Sequence, residues 1–181
     1  MAEPLTPSPA PSSWRLADPA ATAAFGAALA PALPAGAGVP LVVYLEGDLG
    51  AGKTSLVRGL LAGLGHGGRV PSPTYTLVEP YVAGGFRVLH VDLYRLRDPA
   101  ELDDLGIADD LRAGGPDLRG LLLVEWPSRG GDRVPPPDLV QQLAVAGTGR
   151  ELGLVACSVS GEAIRDAVVR HGLAPPDAAG R

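Results

Sequence analysis

The sequence predicts an α/β domain of three layers built on a mixed, mainly parallel sheet. Three observations predict it. Short apolar, β-branched runs at residues 41–46 (LVVYLE) and 121–125 (LLLVE) read as strands buried on both faces. Stretches of helical composition alternate with such runs along the chain. A glycine-rich turn at 47–54 (GDLGAGKT) joins one of those strands to the helix after it.

Composition sets the outer bounds. A chain of 181 residues fits one domain, and such a domain buries roughly 70% of its unfolded surface. Apolar content of 46% with a net charge of −5 describes a globular, mildly acidic protein. That balance excludes broad coating of DNA or RNA, which needs a basic stripe to release counterions. The single cysteine, Cys157, supplies neither an intrachain disulfide nor a metal cluster, and a reducing cytoplasm is the expected compartment. No apolar run reaches the length of a membrane span, and the N-terminus has no secretory pattern. Residues 1–13 and 174–181, rich in proline and alanine, are expected as disordered tails around an ordered domain at 14–173.

The elements follow in order. Asp18 and Pro19 pair an N-cap with proline at the first helical position, opening an alanine-rich helix to about Leu33. The strand at 41–46 comes next, then a helix at 54–64 that stops at the turn Gly65-His66-Gly67-Gly68. Strands at 76–81 and 86–92 flank AGG and form a hairpin. A short helix covers 100–105, and the buried strand at 121–125 precedes a loop over 127–137. Strands at 139–146 and 151–159 flank GTG as a second hairpin, with Cys157 packing as a small apolar group in the latter. A last helix spans 161–170.

The stretch from Gly47 to Thr54 satisfies G-x-x-x-x-G-K-[ST] between a strand and a helix, the arrangement of a phosphate-binding loop. Glycines let consecutive N–H groups converge on phosphate oxygens, and the helix after Gly52 adds its positive dipole end. Lys53 is the only lysine in the chain; every other strong base is an arginine. A compact ammonium reaches between β- and γ-phosphates where a planar guanidinium imposes a fork. Thr54 offers a hydroxyl to Mg²⁺. A P-loop NTPase domain is therefore expected.

Such a loop needs an acidic partner at a neighbouring strand end. Asp92 ends FRVLHVD and Glu125 ends LLLVE; the unbroken apolar run before Glu125 favours it for the metal, leaving Asp92 to orient water. The chain has no asparagine, so the guanine-reading N-K-x-D pattern is absent and ATP is the expected nucleotide. H-R-D and D-F-G are absent as well, which excludes a protein kinase. His90 reads as a hydrogen-bonded core histidine. Arg95 and Arg129 are candidate arginine fingers, and neither pattern is decisive.

Four blocks, GDLGAGKT, SPTYTLVEPY at 72–81, HVDLYRL at 90–96 and VEWP at 124–127, together resemble the TsaE (formerly YjeE) ATPases of bacteria. The resemblance covers about residues 18–150. It implies a small Mg²⁺-dependent ATPase of the machinery that makes threonylcarbamoyladenosine in tRNA, acting with the TsaD and TsaB proteins and meeting tRNA only through them. It also implies roles by motif. Gly50, Ala51, Gly52, Lys53, Thr54 and Ser55 hold phosphates; Thr54 and Glu125 hold Mg²⁺; Lys53, Asp92 and Glu125 serve catalysis. Thr74, Tyr75 and Trp126 belong to a switch or partner surface, and Pro19 and Arg150 lie near the base. Ser128-Arg129 after VEWP and HVD in place of HFD depart from the family's commoner residues. A small-molecule kinase and a nucleotide-dependent binding module that does not hydrolyse ATP are the alternatives.

Overall fold

A computed structural model describes residues 12–34, 36, 38–113, 115 and 117–170. Its centre is a seven-stranded mixed sheet in the order β1-β7-β6-β2-β5-β4-β3. The strands are β1 (Ser12–Leu16), β2 (Leu41–Glu46), β3 (Val78–Ala83), β4 (Phe86–Asp92), β5 (Arg119–Glu125), β6 (Leu139–Ala146) and β7 (Gly149–Ala156). The helices are α1 (Pro19–Leu29), α2 (Lys53–Gly63), α3 (Glu101–Asp104), α4 (Ile107–Arg112) and α5 (Val159–Arg170). β6, β2, β5 and β4 run parallel at the centre, and the antiparallel pairs β1–β7, β6–β7 and β3–β4 complete the edges.

Alternation along the central strands divides the core in two. Leu41, Val43 and Leu45 of β2, Val88 of β4, and Leu121 and Leu123 of β5 meet Phe25 of α1, Leu56 and Leu60 of α2 and Ile164 of α5. Val42, Leu89, Val91, Leu122 and Val124 face the other way, under Leu102 of α3 and the partly buried Ile107 and Leu111 of α4. These are the three layers the strand runs predict. α1 and α2 cross at van der Waals distance because Gly59 has no side chain: a Cβ there would lie 1.9 Å from the Ala23 carbonyl oxygen.

The α1 start matches the sequence. Asp18 Oδ1 accepts from the Ala21 amide at 2.7 Å, and Pro19 follows at the first helical position. A 3-10 turn at Ala30–Ala32 continues the helix to the expected stopping region. Both expected hairpins are present.

Three features differ from the expectations. β1 was not foreseen, and it takes in Ser12 and Ser13, which composition assigns to the N-terminal tail. Trp14 and Leu16 point into the core while Ser13 and Arg15 alternate with them, and the Trp14 ring meets Phe25 edge-on at 5.2 Å. α4 was also unforeseen. β7 stops at Ala156, three residues early, because Ser158 turns the chain into α5 by accepting from the Gly161 amide. Cys157 is therefore exposed beyond the strand rather than packed within it. Residues 1–11 of the expected N-terminal tail at 1–13, and the expected C-terminal tail at 174–181, lie outside the described residues.

Candidate functional site: a phosphate loop with a hydroxyl–carboxylate pair

The loop between β2 and α2 is shaped for an anion. Gly52, at φ 108°, occupies the position before α2 in a left-handed conformation that a side chain would strain. It brings no capping side chain, so the first amides of α2 are left for another acceptor. They border a cleft of about 270 Å³ lined by Gly50, Gly52, Lys53, Thr54 and Ser55 on the loop side. Asp92, Glu125, Thr74 and Trp126 line the opposite wall.

The two carboxylates arrive together through strand register. Asp92 pairs with Glu125 at the ends of parallel β4 and β5, and alternation turns both toward α2. Each is only 3% exposed. Glu125 Oε1 accepts from the Thr54 hydroxyl at 3.0 Å and from His90 Nε2 at 2.9 Å. Asp92 Oδ2 accepts from the Thr74 hydroxyl at 2.8 Å, and its Oδ1 accepts from the Tyr94 amide at 3.0 Å.

Lys53, 4% exposed, donates to the carbonyls of Gly47 at 2.7 Å and Asp48 at 3.0 Å. Its ammonium also lies over the Trp126 ring. Burial pushes the Lys53 pKa down, against the opposing pull of Glu125, Asp92 and Asp48. Trp126 stands in the left-handed region at φ 59° and packs against Tyr94, ring centroids 5.1 Å apart.

Among the described residues no group of three or more His, Cys, Asp or Glu side chains is placed to hold a metal ion by itself. The Thr54 hydroxyl and the Glu125 carboxylate nonetheless offer hard oxygen donors side by side. They fit Mg²⁺, which takes one or two protein oxygens and completes its shell with water and phosphate. A larger cavity of about 800 Å³ lies under α3 and α4. It is lined mainly by apolar side chains, and its rim charges pair off as Arg133 with Asp103 and Arg112 with Asp109. The phosphate-loop residues and both strand-end carboxylates line the smaller cleft instead.

Residues 16–152 match the family model described as threonylcarbamoyl adenosine biosynthesis protein TsaE. The chain belongs to the TsaE family. It is 45% identical over 116 residues to the tRNA threonylcarbamoyladenosine biosynthesis protein TsaE of Haemophilus influenzae, covering 64% of this chain and 70% of that one. The Bacillus subtilis TsaE is 35% identical over 159 residues, covering 87% and 94%. The crystal structure of Bacillus subtilis YdiB superposes with a TM-score of 0.70 at 28% identity, covering 89% of this chain and 95% of the other.

Within this TsaE-family fold, the motif residues separate into groups. Gly50, Gly52, Lys53, Thr54, Ser55, Thr74, Asp92, Glu125 and Trp126 share the cleft. The strand pattern favoured Glu125 because β4 looked less secure in the sheet; β4 is as deeply buried as β5, and contact with Thr54 is what distinguishes Glu125. Tyr75 lies outside the cleft lining, 82% exposed, with the Arg95 guanidinium 4.2 Å from its ring centroid. Arg150 also lies outside that lining. It donates to the carbonyls of Ala51 at 2.7 Å, Gly50 at 3.1 Å and Gly149 at 2.7 Å, so it braces the loop from behind. Ala51 contributes that carbonyl, and Pro19 is an exposed residue of the α1 start.

Neither Arg95 nor Arg129 borders the cleft; Arg58 does, and sequence reasoning missed it. Its Nε donates to the Val70 carbonyl at 2.8 Å. The available signal was spacing: Arg58 is four residues after Thr54, hence on the same helical face.

Proposed function

We propose that this chain is a Mg²⁺-dependent ATPase of tRNA threonylcarbamoyladenosine biosynthesis that supports turnover of the TsaD and TsaB proteins. One observation carries the reading: the Thr54 hydroxyl meets the Glu125 carboxylate at 3.0 Å beside an amide-lined loop that holds the chain's only lysine. The role in tRNA modification rests on family membership and on the names of the relatives.

The residues divide the work. Amides of residues 50–55 and Lys53 hold the phosphates, Lys53 exchanging loop carbonyls for phosphate oxygens. Thr54 and Glu125 would hold Mg²⁺, which would supply positive charge to offset that of the phosphates. Asp92, fixed by Thr74 and the Tyr94 amide, accepts a hydrogen bond from the attacking water. The bond from the γ-phosphorus to the ADP oxygen breaks as the bond to the water oxygen forms; ADP leaves with the bonding pair, and the surplus water proton passes by way of Asp92 to solvent. Among the described residues Arg58 is the only guanidinium on the cleft, and its Nε is committed to Val70. Hydrolysis by the isolated chain is therefore slow, and a partner that supplies a cation accelerates it, by about 10³–10⁵-fold. Among the described residues no helix is long and apolar enough to cross a membrane.

Calorimetry with ATP, with and without Mg²⁺, tests the binding reading. Phosphate release with and without TsaD and TsaB tests the rest. Absence of ATP uptake by folded protein sinks the proposal; equal turnover in both conditions sinks the partner's part of it.

A further inference from the structure

We propose that His90 is a positioning residue: it fixes the Glu125 carboxylate so that Oε1 stays with the protein and Oε2 is presented to the cation. The proposal rests on the Mg²⁺–ATP reading of the cleft and deepens it. His90 is on β4, two residues before Asp92, so alternation sends its ring to the same side as both carboxylates. It is fully buried, at 0% exposure.

Carboxylate chemistry sets the direction of the hydrogen bond. Glu125 Oε1 is an acceptor, and Thr54 Oγ1 already donates to it at 3.0 Å; His90 Nε2, at 2.9 Å, is the second donor. Nε2 therefore carries hydrogen. His90 Nδ1 is buried and has no hydrogen-bond partner among the described residues. The Nε2–H tautomer leaves only a lone pair unsatisfied there, which is the less costly group to orphan. The ring has no competing use for its donor.

The consequence concerns a soft torsion. The last torsion of a glutamate is broad, and a carboxylate held by one hydroxyl can turn. A second donor on the same oxygen removes that freedom before any ligand arrives. No described residue donates to Oε2, and Glu125 lines the cleft. Outer partners of this kind carry about 10–100-fold in metal affinity.

The test compares wild type, His90→Leu and His90→Gln by calorimetry with ATP, with and without Mg²⁺, alongside thermal melting. His90→Leu is expected to bind ATP alone like wild type and to lose about tenfold of the Mg²⁺-dependent gain. His90→Gln, whose amide reaches the same oxygen, restores most of it. A full Mg²⁺-dependent gain in folded His90→Leu overturns the proposal while leaving the ATPase reading intact. No ATP uptake by wild type overturns the ATPase reading itself. If His90→Leu does not fold, the ¹⁵N spectrum of wild type decides: a retained Nε2–H with Mg²⁺–ATP bound supports the role, and a switch to Nδ1–H overturns it.

Discussion

The Lys53 ammonium lies 4.3 Å from the centroid of the Trp126 ring. With the Gly47 and Asp48 carbonyls, the ring completes a resting clasp on the cation. Phosphate binding must open that clasp. A cation–π contact of this type contributes about 0.5–1 kcal/mol, so Trp126→Leu is expected to tighten ATP binding roughly 2–5-fold. Trp126 emission should also change on ATP binding, while Trp14, buried against Phe25, stays constant. Weaker binding by Trp126→Leu would show that the ring serves the bound state instead.

Burial holds the Lys53 pKa below 10.5 in the folded chain. Between that lowered value and 10.5 the unfolded chain binds more protons, so this group's contribution makes stability rise with pH across the window. Tyr44 and Tyr81, pushed up by burial, act with the opposite sign above 10.0. The reading is thus the difference between wild type and Lys53→Met in melting temperature as pH climbs. Lys53→Met should be the more stable protein at neutral pH, its advantage shrinking toward 10.5, with ATP binding lost.

Thr74→Val removes the hydroxyl that holds Asp92 Oδ2 and leaves a buried carboxylate oxygen short of a donor. A loss of about 1–3 kcal/mol at that oxygen corresponds to roughly 5–150-fold in phosphate release, with ATP affinity little changed. Tyr75→Ala, outside the cleft lining, should leave hydrolysis by the isolated chain unchanged. Equal effects from the two variants would contradict the separation seen between these neighbours.

Arg150→Ala frees the Gly50 and Ala51 carbonyls, so the loop loses its brace. Charge-assisted bonds of about 1.5–3 kcal/mol imply a roughly 10–100-fold loss of ATP affinity. Preference for ATP over GTP should not change, because Arg150 acts on the loop. A changed preference would return Arg150 to the neighbourhood of the base.

Gly59→Ala drives a methyl group into the Ala23 carbonyl oxygen. Separation of α1 from α2 should cost about 1–3 kcal/mol, read as a lowered melting temperature.

Much of this was legible because each signal was local. Asp18 and Pro19 mark a helix start through their own side chains, and LLLVE marks a strand through its own burial. The phosphate loop is a contiguous string. What escaped depends on distant partners. β1 becomes a strand only by pairing with β7, and its serines and neighbouring prolines resemble a tail. Arg150 was placed by motif, but its contacts are to loop carbonyls about a hundred positions earlier in the chain. Glu125 and Asp92 were both visible as strand ends, whereas what distinguishes them is which threonine each one reaches.

The match to the family begins at residue 16, yet strand β1 begins at Ser12. A recombinant version trimmed to the matched block would strip the cover from β7, whose bare amides and carbonyls invite another molecule to pair there. That same strand carries Arg150, so clumping at the rim and a slackened grip on nucleotide should arrive together.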